Sequence, residues 1–209
     1  SESGLLTAGT LLVKGNFTET GSCCSTNFST SGTYKVVLNG TGSQTVDFAF
    51  PGTNSAHFQD LEIANTGGSV TITSPVFVNG SLIVQAGSVK SLIGGGNTLT
   101  VNGLDVDGLL LNYVPLVATG TLTKFNNVTF SSNYAVTATQ LKISHPGAAS
   151  PLTFTNITFQ TTPTSGFYID ATDTVSNDSN IFTINMVNPN PSDPLTHVRK
   201  SGGAIINWP

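Results

Sequence analysis

Leu61-Glu62-Ile63, Val70-Thr71-Ile72, Val76-Phe77-Val78 and Leu82-Ile83-Val84 follow one another within residues 61–84, separated by Asn65-Thr66-Gly67-Gly68, Ser74-Pro75 and Asn79-Gly80. Each triplet buries its first and third residues and turns the second outward, which is the period of a strand with one covered face. Each separator is made of residues that turn a chain. Leu61 to Leu82 is 21 residues and Leu82 to Leu104 is 22. Near-regular spacing of strands this short predicts an all-β fold, a parallel β-helix or solenoid of about 20–30 residues per coil with two or three strands in each, every coil burying its neighbours' apolar faces.

A longer phrase extends the pattern. Phe58-Gln59-Asp60-Leu61-Glu62-Ile63 is echoed by Phe125-Asn126-Asn127-Val128-Thr129-Phe130 and by Phe154-Thr155-Asn156-Ile157-Thr158-Phe159, the last two 29 residues apart. Asp60, Asn127 and Asn156 each precede an aliphatic residue, which reads as a coil corner where an Asx side chain satisfies a backbone donor. The rival is an antiparallel sheet, because Asn-Gly between alternating runs is also a hairpin signal. Recurrence of Asn-Gly at 39, 79 and 102, taken as similar places in a coil, favours the helix, as do the short strands and the uncharged surface.

Outward from this core, Leu11 to Lys14 opens the first strand region and Phe17 to Glu19 continues it after a bend, followed by Tyr34 to Leu38 and Thr45 to Phe48. Leu109 to Pro115 is an irregular apolar stretch, expected to pack across a turn or pad the core. Later strands centre on Leu122, Val128, Leu141, Leu152, Ile157, Ile169 and Thr183. Insertions near 94–98, 145–151 and 161–166 are natural places to graft a function. Residues 188–199, rich in Pro, Asn and Asp, are not expected to form regular strand. The segment 203–209, with the only tryptophan, Trp208, reads as a last coil or cap.

The 209 residues fit one domain, with 188–209 as its C-terminal cap or assembly segment. Charged residues make up 9% of the chain, far below the roughly 25% of an ordinary soluble domain, so hydroxyls and amides must cover the surface. Seven basic residues scattered along a chain of net charge −4 offer no concentrated surface for phosphates, so no nucleic-acid partner is expected. No apolar stretch is long enough for a membrane span.

The chain opens at Ser1 with neither Met nor signal peptide, which fits a processed secreted product with an extracellular or cell-surface location. Seven sequons, at Asn16, Asn27, Asn39, Asn79, Asn127, Asn156 and Asn177, are glycosylation candidates if the secretion route glycosylates. Cys23 and Cys24 are adjacent and cannot staple distant parts of the fold. They form a vicinal disulfide, pair with another subunit, or stay reduced.

Chemistry is thinly signalled. There is no Gly-x-Ser-x-Gly elbow, and His57, His145 and His197 read as surface residues without metal-ligand spacing, so neither metal nor cofactor is expected. Gly94-Gly95-Gly96 lacks the Lys-Ser/Thr of a nucleotide loop. Asp105 and Asp107 alternate along one strand and so share a side, where paired carboxylates could bind Ca²⁺ or divide acid and base roles; an outward surface pair is the plainer reading. Asp170 and Asp173, near Tyr168 at an exposed edge, are a second acid candidate. Thr71-Ile72-Thr73 and Thr121-Leu122-Thr123 hint at an ice-binding threonine ladder, although β-branching alone places Thr in strands.

Leu38-Asn39-Gly40-Thr41-Gly42-Ser43-Gln44-Thr45-Val46, the Phe58 phrase and Val78-Asn79-Gly80-Ser81-Leu82 resemble the parallel β-helical stalk repeats of large secreted prokaryotic surface and adhesin-like proteins, well over residues 34–108 and loosely beyond. The resemblance implies an extracellular structural or adhesive module without catalytic residues. The expected function is therefore a self-assembling filament or adhesive scaffold subunit, a homo-oligomer with a glycan or cell-surface ligand in prospect. The end segments, Leu5, Leu11, Leu12 and Val13 with Ile205, Ile206 and Trp208, are the expected contacts, because the ends of a solenoid are open sheet edges. The alternative is a carbohydrate-binding or carbohydrate-cleaving β-helix using Asp105 and Asp107.

Overall fold

The computed structural model describes residues 5–21, 24–144, 151–172, 182–191, 195–200 and 203–209. Its strands are β1 (Leu6–Val13), β2 (Phe17–Glu19), β3 (Thr30–Leu38), β4 (Gln44–Phe48), β5 (Asp60–Ile63), β6 (Val70–Ile72), β7 (Val76–Val84), β8 (Lys90–Ile93) and β9 (Leu99–Asn112). They continue with β10 (Leu116–Ala118), β11 (Leu122–Phe130), β12 (Thr139–Ile143), β13 (Leu152–Phe159), β14 (Phe167–Ala171), β15 (Thr183–Val187), β16 (Val198–Lys200) and β17 (Ile205–Asn207). Every ladder between these strands is parallel, so the chain is a parallel β-solenoid of about seven turns and not a set of hairpins.

Three stacks of strands make the walls. In the first, Leu11, Val36, Leu61, Leu82, Leu104 and Leu122 occupy one inward column, so the 21- and 22-residue spacings are true coil lengths. The second holds β2, β4, β6, β8 and the ends of β9, β11 and β13, with Val70, Leu92, Leu111, Phe130 and Phe159 in register. The third holds the starts of β7 and β9, then β10, β12, β14 and β16, its inward column running Val76, Leu99, Leu116, Leu141, Ile169 and Val198. These columns meet in one continuous hydrophobic core. Aromatic rings meet along it, Phe125 edge to face with Phe154 with centroids 5.1 Å apart and Phe130 stacked on Phe159 at 4.8 Å.

The thrice-used phrase divides. Phe125 and Phe154 are true equivalents in adjacent coils, whereas Phe58 pairs with Val78 in the third stack. The Asn-Gly pairs divide likewise. Val78 and Val101 are in register, so Asn79 and Asn102 mark the same corner, while Asn39 follows Leu38 at the corner between the first and second stacks. Local sequence records a turn; which corner it becomes depends on how many residues the coil has already used.

Two other segments are more regular than expected. Leu109 to Asn112 completes β9 in the second stack, and the turn is confined to Tyr113–Pro115, where Tyr113 has φ 50°. Within 188–199, Asn190 bridges to Thr158 and Val198 begins β16, because the preceding coils supply an edge on which even a Pro-rich segment can pair.

Candidate functional site

The two ends of the coil are where the core meets solvent. Among the described residues β1 pairs on one side only, with β3, and Leu11 and Val13 at its inward positions are half-buried against the core. Leu5 and Leu12 are exposed, at 72% and 59%. At the opposite end β16 pairs only with β14 and β17 only with β15 among the described residues. Ile206 and Trp208 are half-buried and Ile205 is exposed. The Trp208 indole N–H donates to the Pro191 carbonyl at 3.1 Å while its ring stacks on Phe159, so Trp208 caps the end of the second stack. Beside it lies an open pocket of about 340 Å³, lined by Leu195, Val198, Ile206 and Trp208 together with the charged Lys200.

The outward acid pair has a different setting. Lys124 in the next coil places its ammonium 3.5 Å from Asp105 Oδ1 and 3.9 Å from Asp107 Oδ2. Asp107 Oδ1 accepts the Asn127 side-chain amide at 2.7 Å. The two carboxylates are thus joined to a cation of the same chain, in keeping with an outward surface pair. No group of three or more potential metal ligands occurs among the described residues.

That Asn127 bond begins a ladder. Asn156 donates to Asn127 at 2.9 Å and Asn188 to Asn156 at 3.2 Å, with φ of 54°, 56° and 55° at Asn127, Asn156 and Asn188. Asn tolerates this left-handed backbone better than other residues with a Cβ. Asn127 and Asn156 therefore brace a corner through side-chain contacts between coils, and not through a backbone donor as the sequence implied. Asp60 does accept a backbone donor, the Ser81 N–H at 2.8 Å, but at the other corner.

Several expected positions move. Asp170 is buried, not at an exposed edge: Arg199 of the next coil pairs with its carboxylate, Thr172 donates to it at 2.6 Å, and the Arg199 guanidinium lies 4.5 Å over the Phe167 ring. Burial alone would raise the Asp170 carboxyl, but the hydrogen bonds from Arg199 and Thr172 and the Arg199 charge outweigh it and hold it below the usual carboxylate range. His57 is also buried, its ring nitrogens 2.8 Å from the Ser55 carbonyl oxygen and 2.9 Å from that of Thr30, and His197 is half-buried against Tyr168. The Thr30 partner of His57 and the Tyr168 ring beside His197 come from other coils, which no local signal marks. The threonine ladder is short: Thr45 and Thr71 are in register, but Ile93 follows Thr71.

Among the sequons, Asn16 is exposed and its Oδ1 accepts the Thr45 N–H, Asn27 donates to Glu19, Asn79 donates to the Thr53 carbonyl, and Asn39 is half-buried. Glu19, itself buried, also accepts the Ala49 N–H at 3.0 Å. Cys23, His145, Asp173 and Asn177 lie outside the described residues. Among those described, no helix is long and apolar enough to cross a membrane.

Comparison with protein-family models, curated proteins and solved structures found no match. The site is therefore read on its own chemistry.

Proposed function

We propose that this chain is an extracellular structural protein, a scaffold subunit of a self-assembling filament or adhesive surface layer, akin in architecture to β-helical stalks. One observation carries the reading: the core columns run through successive coils and remain half-covered at both ends, at Leu11 and Val13 and at Ile206 and Trp208. An open parallel edge beside incompletely buried core residues is a template for strand addition. The acid pair does not compete with this reading, because Lys124 stands against both carboxylates.

Sedimentation velocity over rising concentration, with negative-stain imaging of the same samples, tests it. Assembly into elongated particles is expected; monodisperse monomers at high concentration would overturn it. Intact mass of native material, before and after reduction, reports whether any sequon carries sugar and whether Cys23 and Cys24 are oxidised.

A further inference from the structure

Independently of the scaffold reading, we propose that His57 is an acid-set latch between two coils: as the imidazolium it grips two backbone carbonyls, and on losing a proton it must let one of them go. Both ring nitrogens face acceptors. Nδ1 lies 2.8 Å from the Ser55 carbonyl oxygen, and Nε2 lies 2.9 Å from that of Thr30, in the preceding coil. A neutral imidazole has one N–H and one lone pair, so either tautomer donates to one carbonyl and sets its lone pair against the other. Only the imidazolium donates at both.

The surrounding backbone is arranged for that second donor. The Gln59 N–H, on the way into β5, donates to the Thr30 hydroxyl and not to the Thr30 carbonyl, which is thereby left to the ring. Ser29 and His57 form a single parallel bridge, and the His57 N–H donates to the Phe28 carbonyl at 2.9 Å. The imidazole is thus held where the entry to β3 meets the entry to β5. Thr30 is fully buried and His57 is 6% exposed, so solvent does not take over a contact that is lost.

Among the described residues no carboxylate forms an ion pair with the ring. The acids on the elements around it are committed elsewhere: Glu19 of β2 to Asn27, Ala49 and Phe50, Asp47 of β4 to Thr73, Asp60 of β5 to Ser81, and Glu62 of β5 to Lys35 of β3. Tyr34 packs against the core, Cys24 is half-buried in the segment before β3, and β1 and β7 bring no titratable side chain. Two carbonyl dipoles therefore answer the charge. Burial of an ion opposes the latched state and two charge-assisted hydrogen bonds favour it, an opposition that a change of pH can tip.

Because the latch binds the proton, its stability is present in acid and is lost as pH rises through the range where histidine titrates, about pH 5 to 8. Asp170 acts in the opposite sense, its pairing being lost in acid.

Urea unfolding of the full chain, of His57→Gln and of His57→Phe, repeated from about pH 5 to 8, tests this. Neither replacement titrates, and Asp170 is common to all three proteins. The midpoint of the parent should exceed those of both variants most at the acid end, and the excess should shrink as pH rises. Nitrogen-15 spectra of the parent imidazole, assigned through the His57 backbone amide, should show both ring nitrogens protonated in acid and one losing its proton over the interval in which the excess shrinks. These spectra decide alone should neither variant fold. An excess that is constant or grows with pH, or a His57 ring with one unprotonated nitrogen throughout, would overturn the latch.

Discussion

Asn156 donates its side-chain amide to Asn127 one coil away, at 2.9 Å, while both residues hold left-handed backbone, φ 56° and 54°. A single residue thus meets a conformational demand and supplies a link between coils. Asn127→Ala loses both, and about 2 kcal/mol of stability is expected to go with it from the left-handed backbone and the lost hydrogen bonding. Asn127→Gly keeps the backbone at ease and should lose roughly half as much. Urea unfolding of the two variants separates these contributions; equal losses would show that backbone conformation matters little there.

Asp170 provides the pH dependence. Its folded-state carboxyl lies below the usual range, so its pairing with Arg199 contributes stability that is fully present above the unfolded-state value and is lost as pH falls through the folded-state value. Arg199→Gln should therefore lower the melting temperature most at neutral pH. The gap from the parent should narrow in acid, where Asp170 is protonated in both proteins. A gap independent of pH would place the effect in the packing of Arg199 on Phe167 instead.

The core can be probed where rings meet. Phe125 is fully buried between Val106 and Phe154, and Phe125→Ala should cost about 3–5 kcal/mol through lost burial and a residual cavity. Because each coil touches mainly its neighbours, the damage should also weaken coupling between the two halves. Hydrogen exchange would then show amides on the two sides of β11 opening with different free energies, where the parent protein opens them together.

Two glycines give a paired test of corner packing. A Cβ at Gly67 would collide with the Thr41 carbonyl of the adjacent coil, whereas one at Gly42 would meet nothing within 4 Å. Gly67→Ala should destabilise through backbone displacement. Gly42→Ala should be neutral or stabilising by about 0.4–1 kcal/mol, because it restricts the unfolded chain. Thermal melts of the two variants side by side decide the matter.

What could be read directly from the chain was whatever is written locally. The triplets at Leu61, Val70, Val76 and Leu82 encode strand, face and coil length without reference to anything distant, and the columns confirm the 21- and 22-residue intervals. What could not be read was decided by partners a coil away. Asp170 looks like an exposed acid until Arg199, 29 residues later, pairs with it. Phe58 looks equivalent to Phe125 until corner lengths assign them to different walls. The end segments were visible in the chain, but which walls they extend is known only from the register.

The nearest-neighbour stacking has a mechanical consequence. Pulled along its axis, the solenoid resists through ladders loaded in series, and the weakest coil yields first. A coil such as Leu82 to Leu104 occupies a rise of only about 4.8 Å while stacked. Peeled away, the same stretch would reach roughly 75 Å of extended chain. Each coil is thus a stored length that can be released under tension and rewound when the load falls.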